Sequence, residues 1–432
     1  MTARTRSRKI ALLAYGSRGD VEPFLALAQG LNHAGHQTRL AAPGVFADLA
    51  AARDVAFVSL PGDPDHLVAE LVQRAGRRPD RVVRVMSRFV FPLAVDVLQS
   101  ALDVCRDVDV VVHSFLFTSG GHEVAVQMGI PDISAQLFPV FTPTAAFPGV
   151  VAPDLPLGNA YRRFSHRLIQ QVFWQGSQVL YNRLRKTHTA LPALSGWPIG
   201  SHLQPPVPVL YAHSPHVLPK PDDWPDWAHV TGYWFEPDVR SPEIPDGLEA
   251  FLEAGSAPIY IGFGSVISRD AGRLMQIVLE ALRRTGQRGV VLRKQQDEFQ
   301  SGPHRNVFFL HSIRHDWLFP KMAAAVHHGG AGTTGASLRA GLPTLIVPFT
   351  NDQPFWGRQV QRLGVGPASI TPRRLTVERL AAAIERMLTD VEMRTRARVL
   401  GEKIRMDDGI GEAVACIEAA CGLKGNGINP VD

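Results

Sequence analysis

The 432-residue sequence predicts an α/β protein built from two doubly wound, Rossmann-like domains. Short strand candidates alternate with helical stretches in both halves of the chain, as in βαβ units of parallel sheets. The strand candidates are rich in Val, Ile and Leu without polar alternation, as expected for strands covered by helices on both faces. The length suits two or three domains of roughly 100–200 residues each.

The first half contains five strand candidates and a clear crossover helix. The helix is predicted at Glu22–Ala34, because Pro23 is tolerated in a first turn and Gly35 ends the pattern. The first apolar run, Ile10–Tyr15, stops after six residues, which favours a buried strand over a signal peptide. The predicted strands are Lys9–Tyr15, Thr38–Ala42, Ala56–Leu60, Val108–His113 and Asp132–Leu137.

The second half repeats this scheme. A helix is predicted at Arg269–Arg283, where apolar residues recur at helical spacing. The predicted strands are Pro258–Phe263, Val290–Leu292, Val307–Leu310, Ala324–His328 and Thr344–Val347.

Proline marks the boundary between the two halves. Ten Pro lie between residues 205 and 245, and Trp224, Trp227 and Trp234 accompany them. Proline interrupts helices and ladders, and three Trp indicate packing rather than a flexible linker. We therefore predict domains at 1–215 and 246–410, a packed connector at 216–245, and at 411–432 a helix that returns to the N-terminal domain before a frayed tail.

Composition and charge restrict the function classes. A net charge of +5 permits attraction to phosphates or an anionic membrane, and nucleic acid is not a predicted partner. No apolar run approaches the ~20 residues of a membrane span, so no transmembrane helix is expected. Three Cys fit a reducing cytosol better than a disulfide framework, which predicts a cytoplasmic protein.

Two segments combine apolar and basic residues. In Tyr161–Lys186, apolar residues recur at helical spacing and Arg or Lys supply the other face. We favour a pair of surface helices here, with contact to a membrane surface as the alternative. A second basic run, from Arg74 to Arg88, precedes Phe89-Val90-Phe91.

The strongest local motif is the run from His327 to Thr334, His-His-Gly-Gly-Ala-Gly-Thr-Thr, which follows a strand and opens a helix. Its glycines let backbone amides approach an anion, and the helix start adds unpaired N–H groups and a positive dipole end. A diphosphate suits this set, whereas a glycine turn for tight packing is the structural alternative. Gly330, Gly332 and Gly335, with Asp352 downstream, also imitate a dinucleotide fingerprint, so a nicotinamide-dependent oxidoreductase is a rival.

A second motif, Gly16-Ser17-Arg18-Gly19-Asp20-Val21-Glu22-Pro23, follows the first strand. Ligands of open α/β sheets bind outside the carboxyl ends of strands, which places Asp20 to face a ligand. Capping of a helix that begins near Glu22 is the alternative. The turn Phe263-Gly264-Ser265 and the pair Asp352-Gln353 are further candidates for phosphate and hydroxyl contacts. No metal is predicted, because no ligand spacing suits one.

Together these motifs resemble the UDP-glycosyltransferase superfamily with the GT-B fold, over nearly the whole chain. The likeness is strongest to bacterial and fungal sterol glucosyltransferases and to antibiotic glycosyltransferases, which share the 16–23 motif. Residues 311–353 match the donor-binding signature, including His315-Asp316-Trp317-Leu318-Phe319-Pro320 and Gly341-Leu342-Pro343. The resemblance implies that the two domains face each other across a cleft, and that the first binds the acceptor and the second the nucleotide-sugar.

The resemblance also implies residue roles. Asp20 takes the place of the catalytic base, where many plant and animal relatives have His. By this resemblance His328 contacts the α-phosphate of the donor, and Asp352 and Gln353 hold the hydroxyl groups of its sugar. Leu310 stands where plant relatives stack a Trp on the base, so a thymidine donor is an alternative to uridine. The nucleotide and phosphate site is assigned to Ser17, Arg18, Gly264, Ser265, Leu310, Ile313, His328, Gly330, Gly332 and Thr333.

The implied reaction is metal-independent and inverting, and the nucleotide-sugar is a co-substrate rather than a cofactor. UDP-glucose is the favoured donor and a dTDP-sugar the alternative. The apolar run from Phe138 to Phe147 suggests a lipophilic acceptor such as a sterol, polyketide or lipid. A catalytically silent sugar-nucleotide or lipid-binding protein on the same fold is the remaining alternative.

Overall fold

The computed structural model describes residues 7–63, 91–186, 193–194, 196–197, 206–236, 243–263, 271–293, 305–350 and 352–422. The chain divides into two compact units. Unit 1 combines residues 1–213, 220–237 and 408–432, and unit 2 combines residues 214–219 and 238–407. The segment predicted as a connector, 216–245, therefore contributes residues to both units.

Unit 1 is built on a seven-stranded sheet, ordered β3-β2-β1-β4-β5-β6-β7, whose neighbouring strands all pair in parallel. Its strands are β1 (Lys9–Leu13), β2 (Gln37–Pro43), β3 (Phe57–Leu60), β4 (Val110–His113), β5 (Asp132–Gln136), β6 (Val209–Tyr211) and β7 (Ala228–Val230). Its first helices are α1 (Arg18–His33), α2 (Ala47–Ala51), α3 (Phe91–Val104), α4 (Thr118–Met128) and α5 (Gly158–Leu184), with short 3-10 turns at Gly44–Phe46 and Phe115–Phe117.

Both faces of this sheet are buried, which explains the continuous apolar run of β1. Ile10 and Leu12 pack into a core with residues of α1, such as Phe24. Ala11 and Leu13 point to the opposite face and pack with residues of α3 and α4. Because side chains alternate along a strand, an all-apolar strand is stable only where helices cover both sides.

Unit 2 is built on a five-stranded parallel sheet ordered β10-β9-β8-β11-β12. Its strands are β8 (Ile259–Gly262), β9 (Gly289–Leu292), β10 (Val307–Leu310), β11 (Ala324–His327) and β12 (Thr344–Ile346). Its helices are α6 (Leu248–Glu253), α7 (Ala271–Thr285), α8 (His315–Leu318), α9 (Ala331–Arg339), α10 (Gln353–Arg362), α11 (Val377–Thr389) and α12 (Val391–Met406), with 3-10 turns at Phe319–Lys321 and Pro372–Arg374.

Each sheet has a topological switch point. In unit 1 the chain runs outward from β1 through β2 to β3 and then returns to the other side of β1 as β4. In unit 2 it runs outward from β8 to β10 and returns beside β8 as β11. Ligands of open α/β sheets bind at such points, outside the carboxyl ends of the strands. The predicted pair of doubly wound sheets is confirmed.

The last described helix, α13 (Gly409–Gly422), returns to unit 1 and packs on α1. Its Ala413 and Ile417 are fully buried in the same core as Ile10. Contact with α1 is close, because a Cβ added to Gly30 would lie 2.1 Å from Cγ2 of Ile410.

Two predictions of local structure are wrong, and two strands were missed. The first crossover helix begins at Arg18, not near Glu22, because Ser17 caps it. Tyr161–Lys186 is not a helix pair but contains most of one 27-residue helix, α5. Strands β6 and β7 were not predicted, because each has three residues and lies among prolines. The basic run from Arg74 to Arg88 and the tail at 424–432 lie outside the described residues.

Candidate active site

Asp20 lies in the loop and first helical turn that follow β1, at the switch point of unit 1. Ser17 donates to Asp20 Oδ2 from its backbone N–H and from its hydroxyl, each at 2.8 Å. Asp20 Oδ1 makes no hydrogen bond to a described residue. Gly16, at φ 141°, is required here, because a Cβ would lie 2.5 Å from Asp20 Oδ2. One carboxylate oxygen is thus held by the helix start, and the described residues offer the other no hydrogen bond.

The environment of Asp20 raises the pKa of its carboxyl group. Burial raises the pKa of the Asp20 carboxyl above its ordinary value, and the two bonds from Ser17 lower the pKa by a smaller amount. A raised pKa makes the carboxylate a stronger base than a solvated aspartate.

The other candidates in this loop are engaged by the protein itself. Ser17 is the N-cap of α1, and Arg18 forms an exposed ion pair with Glu22 at 2.7 Å. Glu22 is therefore a partner for Arg18 in the first turns of the helix. The structure brings Ser17, Arg18 and Asp20 together, but assigns Ser17 to positioning the carboxylate.

The loop that follows β4 lies beside the loop of Asp20. Ser114 donates its backbone N–H to the Leu13 carbonyl at 2.9 Å, and Ser114 Oγ accepts from the Tyr15 N–H at 3.4 Å. These bonds join the carboxyl ends of β1 and β4, which are neighbours in the sheet.

An aromatic cluster follows β4 and β5 at this edge of the sheet. The Phe115 ring stacks on Phe141 at 5.5 Å and meets Phe138 and Phe173 at 5.1 Å each. Trp197 lies 4.7 Å from Phe141. Two members of this cluster, Phe138 and Phe141, lie in the apolar run 138–147 that sequence analysis singled out. Sequence analysis missed Phe115, Phe173 and Trp197, which come from distant segments, and the only signal was Phe115-Leu116-Phe117 directly after a strand.

In unit 2 the glycine-rich loop follows β11 at the switch point. His327 is completely buried, its Nδ1 accepts from the Gly329 N–H at 3.1 Å, and its Nε2 lies 3.2 Å from Ser337 Oγ. Burial holds the pKa of His327 well below its usual range, so the ring is neutral. Gly329 has φ 92°, which favours glycine. His327 therefore holds the glycine-rich loop in place through its bonds to Gly329 and Ser337, a role that sequence analysis did not assign.

His328 points toward the start of α9. A Cβ added to Gly330, the N-cap of that helix, would lie 2.6 Å from His328 Nε2, so glycine leaves the space that the ring needs. Burial lowers the pKa of His328 to about 4, and its interaction with the Gly262 backbone opposes this effect only in part. His328 is neutral near pH 7, and a neutral imidazole can donate one N–H to a phosphate oxygen.

Gly332 and Thr333 lie in the first turn of α9, the nine-residue helix that starts after Gly330. A Cβ added to Gly332 would meet no atom of the described residues within 4 Å, so packing against that part of the chain does not require glycine there. Backbone N–H groups of a first helical turn have no partner inside the helix and attract anions. This first turn is therefore a candidate site for an anion.

The candidate sugar-binding pair lies against the glycine-rich loop. A Cβ added to Gly329 would lie 3.3 Å from the Gln353 carbonyl oxygen. Gln353 Oε1 accepts from the N–H groups of Phe349 and Thr350 at 2.7 and 3.0 Å, which leaves its Nε2 without a hydrogen bond to a described residue. Asp352 Oδ2 accepts from Trp356 Nε1 at 2.8 Å. The turn after β12 is thus locked next to the turn after β11.

The remaining nucleotide candidates have different outcomes. Leu310 is 2% exposed and its side chain packs in the core of unit 2, and its place in the nucleotide site stays a prediction. Ile313 is half-buried against the same core. Gly264 and Ser265 lie outside the described residues. Among the residues that the structure describes, no group of three or more His, Cys, Asp or Glu side chains is arranged to hold a metal ion.

Known proteins resemble both halves of the chain. Residues 10–145 match the glycosyltransferase family 28 N-terminal domain, and residues 283–418 match the erythromycin biosynthesis protein CIII-like C-terminal domain. The sterol 3-beta-glucosyltransferase of Cryptococcus neoformans var. neoformans serotype D is 37% identical over 434 residues, which cover 95% of this chain. The chain spans only 27% of the length of that relative.

Solved structures share the fold. The calicheamicin glycosyltransferase CalG4 superposes with a TM-score of 0.68 at 20% identity, covering 98% of this chain and 100% of its own. The Streptomyces sp. SF2575 glycosyltransferase SsfS6, crystallised with thymidine diphosphate, has a TM-score of 0.63 at 18% identity and covers 95% of this chain and 99% of its own.

Two parallel doubly wound sheets, each with a polar loop at its switch point, define the GT-B class of fold. The resemblance drawn from the motifs is confirmed: each half of the chain matches a glycosyltransferase-type domain, and the curated relatives include sterol 3-beta-glucosyltransferases.

Proposed function

We propose that this protein is an inverting glycosyltransferase that moves a hexose from a nucleotide-sugar to a hydroxyl group of a lipophilic acceptor. UDP-glucose is the favoured donor, and a dTDP-sugar is the alternative that the thymidine diphosphate in SsfS6 supports. The observation that carries the proposal is the glycine-rich loop at the switch point of unit 2, where a Cβ at position 332 would meet none of the described residues.

The donor diphosphate is assigned to the start of α9. The unpaired N–H groups of this first turn and the positive end of the helix dipole stabilise negative charge. The neutral ring of His328 adds one N–H donor, and Thr333 adds a hydroxyl. As the bond from the anomeric carbon to the diphosphate breaks, these groups stabilise the charge that the leaving oxygen gains.

The hexose is assigned to Asp352 and Gln353. Gln353 keeps an amide N–H₂ group to donate, while the Asp352 carboxylate accepts from sugar hydroxyls. The hydrogen bonds that hold this turn also fix the distance from the sugar contacts to the phosphate contacts, which is what positioning for in-line attack needs.

Asp20 is assigned as the general base. The acceptor hydroxyl donates to Asp20 Oδ1 and attacks the anomeric carbon from the face opposite the nucleotide, which inverts its configuration. The hydroxyl proton passes to Asp20 as the new C–O bond forms, and the nucleoside diphosphate leaves with the electron pair. Because an alcohol is far less acidic than a carboxylic acid, proton transfer is late.

The acceptor is assigned to the aromatic cluster of unit 1. Phe115 follows β4, the neighbour of β1, and Phe138 and Phe141 follow β5, so these three rings lie at the same edge of the sheet as Asp20. Phe173 and Trp197 complete the cluster by packing against them. Rings of this kind bury apolar ligand surface. The sterol 3-beta-glucosyltransferase relatives support an acceptor of this kind. We also propose a cytoplasmic location with peripheral membrane contact. The three Cys are free thiols, which suits a reducing compartment.

The test is transfer by Asp20→Asn. We expect kcat to fall by about 10²–10⁴, while the Kd for UDP or dTDP changes by less than about twofold. Asp48→Asn is the matched control, because Asp48 is an exposed acid in the first turn of α2 in the same unit. Equal transfer by Asp20→Asn and the wild type would remove the base assignment.

A binding panel of UDP-, dTDP- and GDP-sugars and NADH, followed by mass spectrometry of acceptor products, separates the function classes. Binding of NADH alone would support an oxidoreductase. Nucleotide-sugar binding without transfer or hydrolysis would support a silent binding protein.

A further inference from the structure

An apolar stripe lies exposed along helix α5. Phe164, Leu168, Val172 and Val179 are 60%, 49%, 62% and 64% exposed. Their spacings of four, four and seven residues place them on one face of the helix. In the described part of the chain, eight of thirteen exposed large hydrophobic side chains lie between residues 151 and 179. This concentration marks an interaction surface rather than scattered apolar residues.

The opposite face of α5 is anchored in unit 1, so the stripe is presented by a fixed helix. Trp174 is 1% exposed, and Ile169 packs so closely on Gly149 that a Cβ there would lie 2.3 Å from its Cδ1. His166 Nε2 lies 3.1 Å from the Phe147 carbonyl oxygen.

The charge of α5 selects the kind of partner. The helix contains four Arg and no Asp or Glu among its 27 residues. Arg163 pairs with Asp223, whereas Arg167, which is also exposed, makes no ion pair with a described residue. An apolar stripe bordered by basic side chains is the pattern of a helix that lies in the surface of an anionic bilayer.

We propose that α5 docks this protein on the surface of a membrane that contains anionic lipid, with the stripe of Phe164, Leu168, Val172 and Val179 in the acyl boundary. A second copy of the chain is a poorer occupant, because a two-fold contact would bring α5 against α5 and set its arginines against each other.

The same helix leads to the aromatic cluster. Phe173 follows the stripe residue Val172, is 38% exposed, and meets Phe115 edge to face at 5.1 Å. A lipid acceptor that leaves the bilayer beside α5 would therefore reach the cluster without crossing water, a consequence that rests on the proposed function.

The test is flotation of the full chain with phosphatidylcholine vesicles, with and without phosphatidylserine, and without donor or acceptor. We expect binding to the anionic vesicles and loss of that binding at about 0.5 M salt. The triple variant Phe164→Ser, Leu168→Ser, Val172→Ser should bind at least ~10-fold more weakly, because it removes the inserted apolar surface.

The matched control is the triple variant Val45→Ser, Val391→Ser, Met406→Ser, which removes three apolar side chains elsewhere that are at least as exposed. It should bind vesicles as the wild type does. Arg167→Gln tests the electrostatic part and should weaken binding about fivefold, the effect of one basic residue near an anionic surface. Because all these side chains are exposed, circular dichroism should show an intact fold in each variant.

Equal flotation of the stripe variant and the control would overturn the proposal, and so would equal binding to neutral and anionic vesicles. A concentration-dependent dimer that the stripe substitutions abolish, without vesicle binding by the wild type, would assign the stripe to a second copy. Flotation needs no catalysis, so a protein that binds vesicles but transfers no sugar would leave this proposal standing while the proposed function fails.

Discussion

At the scale of single residues, Asp20 is both part of the start of α1 and the proposed general base. One carboxylate oxygen accepts from Ser17 at the helix start, and the other makes no hydrogen bond to a described residue. The hydrogen bonds from Ser17 stabilise the charged form and thus oppose the rise in pKa that burial causes. The basicity of Asp20 is therefore set by a balance that Ser17 controls.

This balance predicts a pH effect. Activity that needs the Asp20 carboxylate should fall as the pH drops through its raised pKa. Ser17→Ala removes a donor that favours the carboxylate, so the acid limb of log kcat/KM should move to higher pH. The same change should lower the free energy of unfolding by about 1 kcal/mol through loss of the N-cap. The pH profile of kcat/KM measures the first effect.

Ser100→Ala is the control, because the exposed Ser100 hydroxyl bonds only the Asp96 carbonyl within α3. It should leave the acid limb in place. An acid limb that is unchanged, or that moves to lower pH, in Ser17→Ala would contradict the assigned balance.

Much of the candidate site could be predicted from single residues. The motifs around Asp20 and His328 lie directly after strands, and parallel strands bring their carboxyl ends to one edge, so their placement followed from topology. The hydrogen-bond partners could not be predicted, because Ser17 bonds through both backbone and side chain. The burial of the Leu310 side chain in the core of unit 2 could not be predicted from the motif alone.

At the scale of secondary structure, the start of α9 is the element to which donor binding is assigned in the proposed function. Its glycines differ in physical role, and the structure separates them. Gly330 leaves room for the His328 ring, whereas Gly332 faces open space. Only the second of these glycines is free of a packing duty within the described protein.

The Gly332→Ala variant should therefore separate stability from binding. Alanine in a helix is more favourable than glycine by roughly 0.5–1 kcal/mol, so the free energy of unfolding should rise slightly. The affinity for UDP or dTDP should fall at least ~10-fold, because a methyl group enters the space of the diphosphate. Calorimetric titration and denaturant unfolding measure the two quantities.

Gly272→Ala in α7 is the matched control, because its added Cβ also meets nothing within 4 Å. It should be stabilised to the same degree and keep its affinity for the nucleotide. Unchanged affinity in Gly332→Ala would move the diphosphate away from this turn.

Helix α5 shows why element boundaries were harder to predict than the site. The sequence Trp174-Gln175-Gly176-Ser177 lies in its middle, and we predicted two helices. The helix continues because Trp174 is buried against unit 1, and tertiary packing exceeds the cost of one glycine of about 1 kcal/mol. Strands β6 and β7 were missed for a different reason. Each has only three residues, which is too few to show the periodicity by which a strand is predicted.

At the scale of the whole molecule, sequence order and spatial order differ. Unit 1 contains both ends of the described chain, and α13 supplies part of its core although it follows unit 2 in sequence. Two buried isoleucines, only thirteen positions apart, thus belong to different units. Ile404 of α12 lies in unit 2, and Ile417 of α13 lies in unit 1.

These isoleucines give a matched pair of variants. Each should destabilise its own unit by roughly 2–5 kcal/mol when changed to alanine, because each leaves a cavity in a packed core. In Ile417→Ala, hydrogen exchange should accelerate in α1 and β1, whereas in Ile404→Ala it should accelerate in α9 and β12. Faster exchange of α9 in Ile417→Ala, with α1 unaffected, would contradict the division into units.

The return of α13 has a consequence for synthesis on the ribosome. The amino-terminal unit emerges first, yet its hydrophobic core is incomplete until Ile417 leaves the exit tunnel, after every strand of the second unit has been translated. The later unit has almost all of its residues in one uninterrupted stretch and can finish folding earlier. For this protein, the nascent chain is expected to mature in the reverse of the order in which its halves are translated.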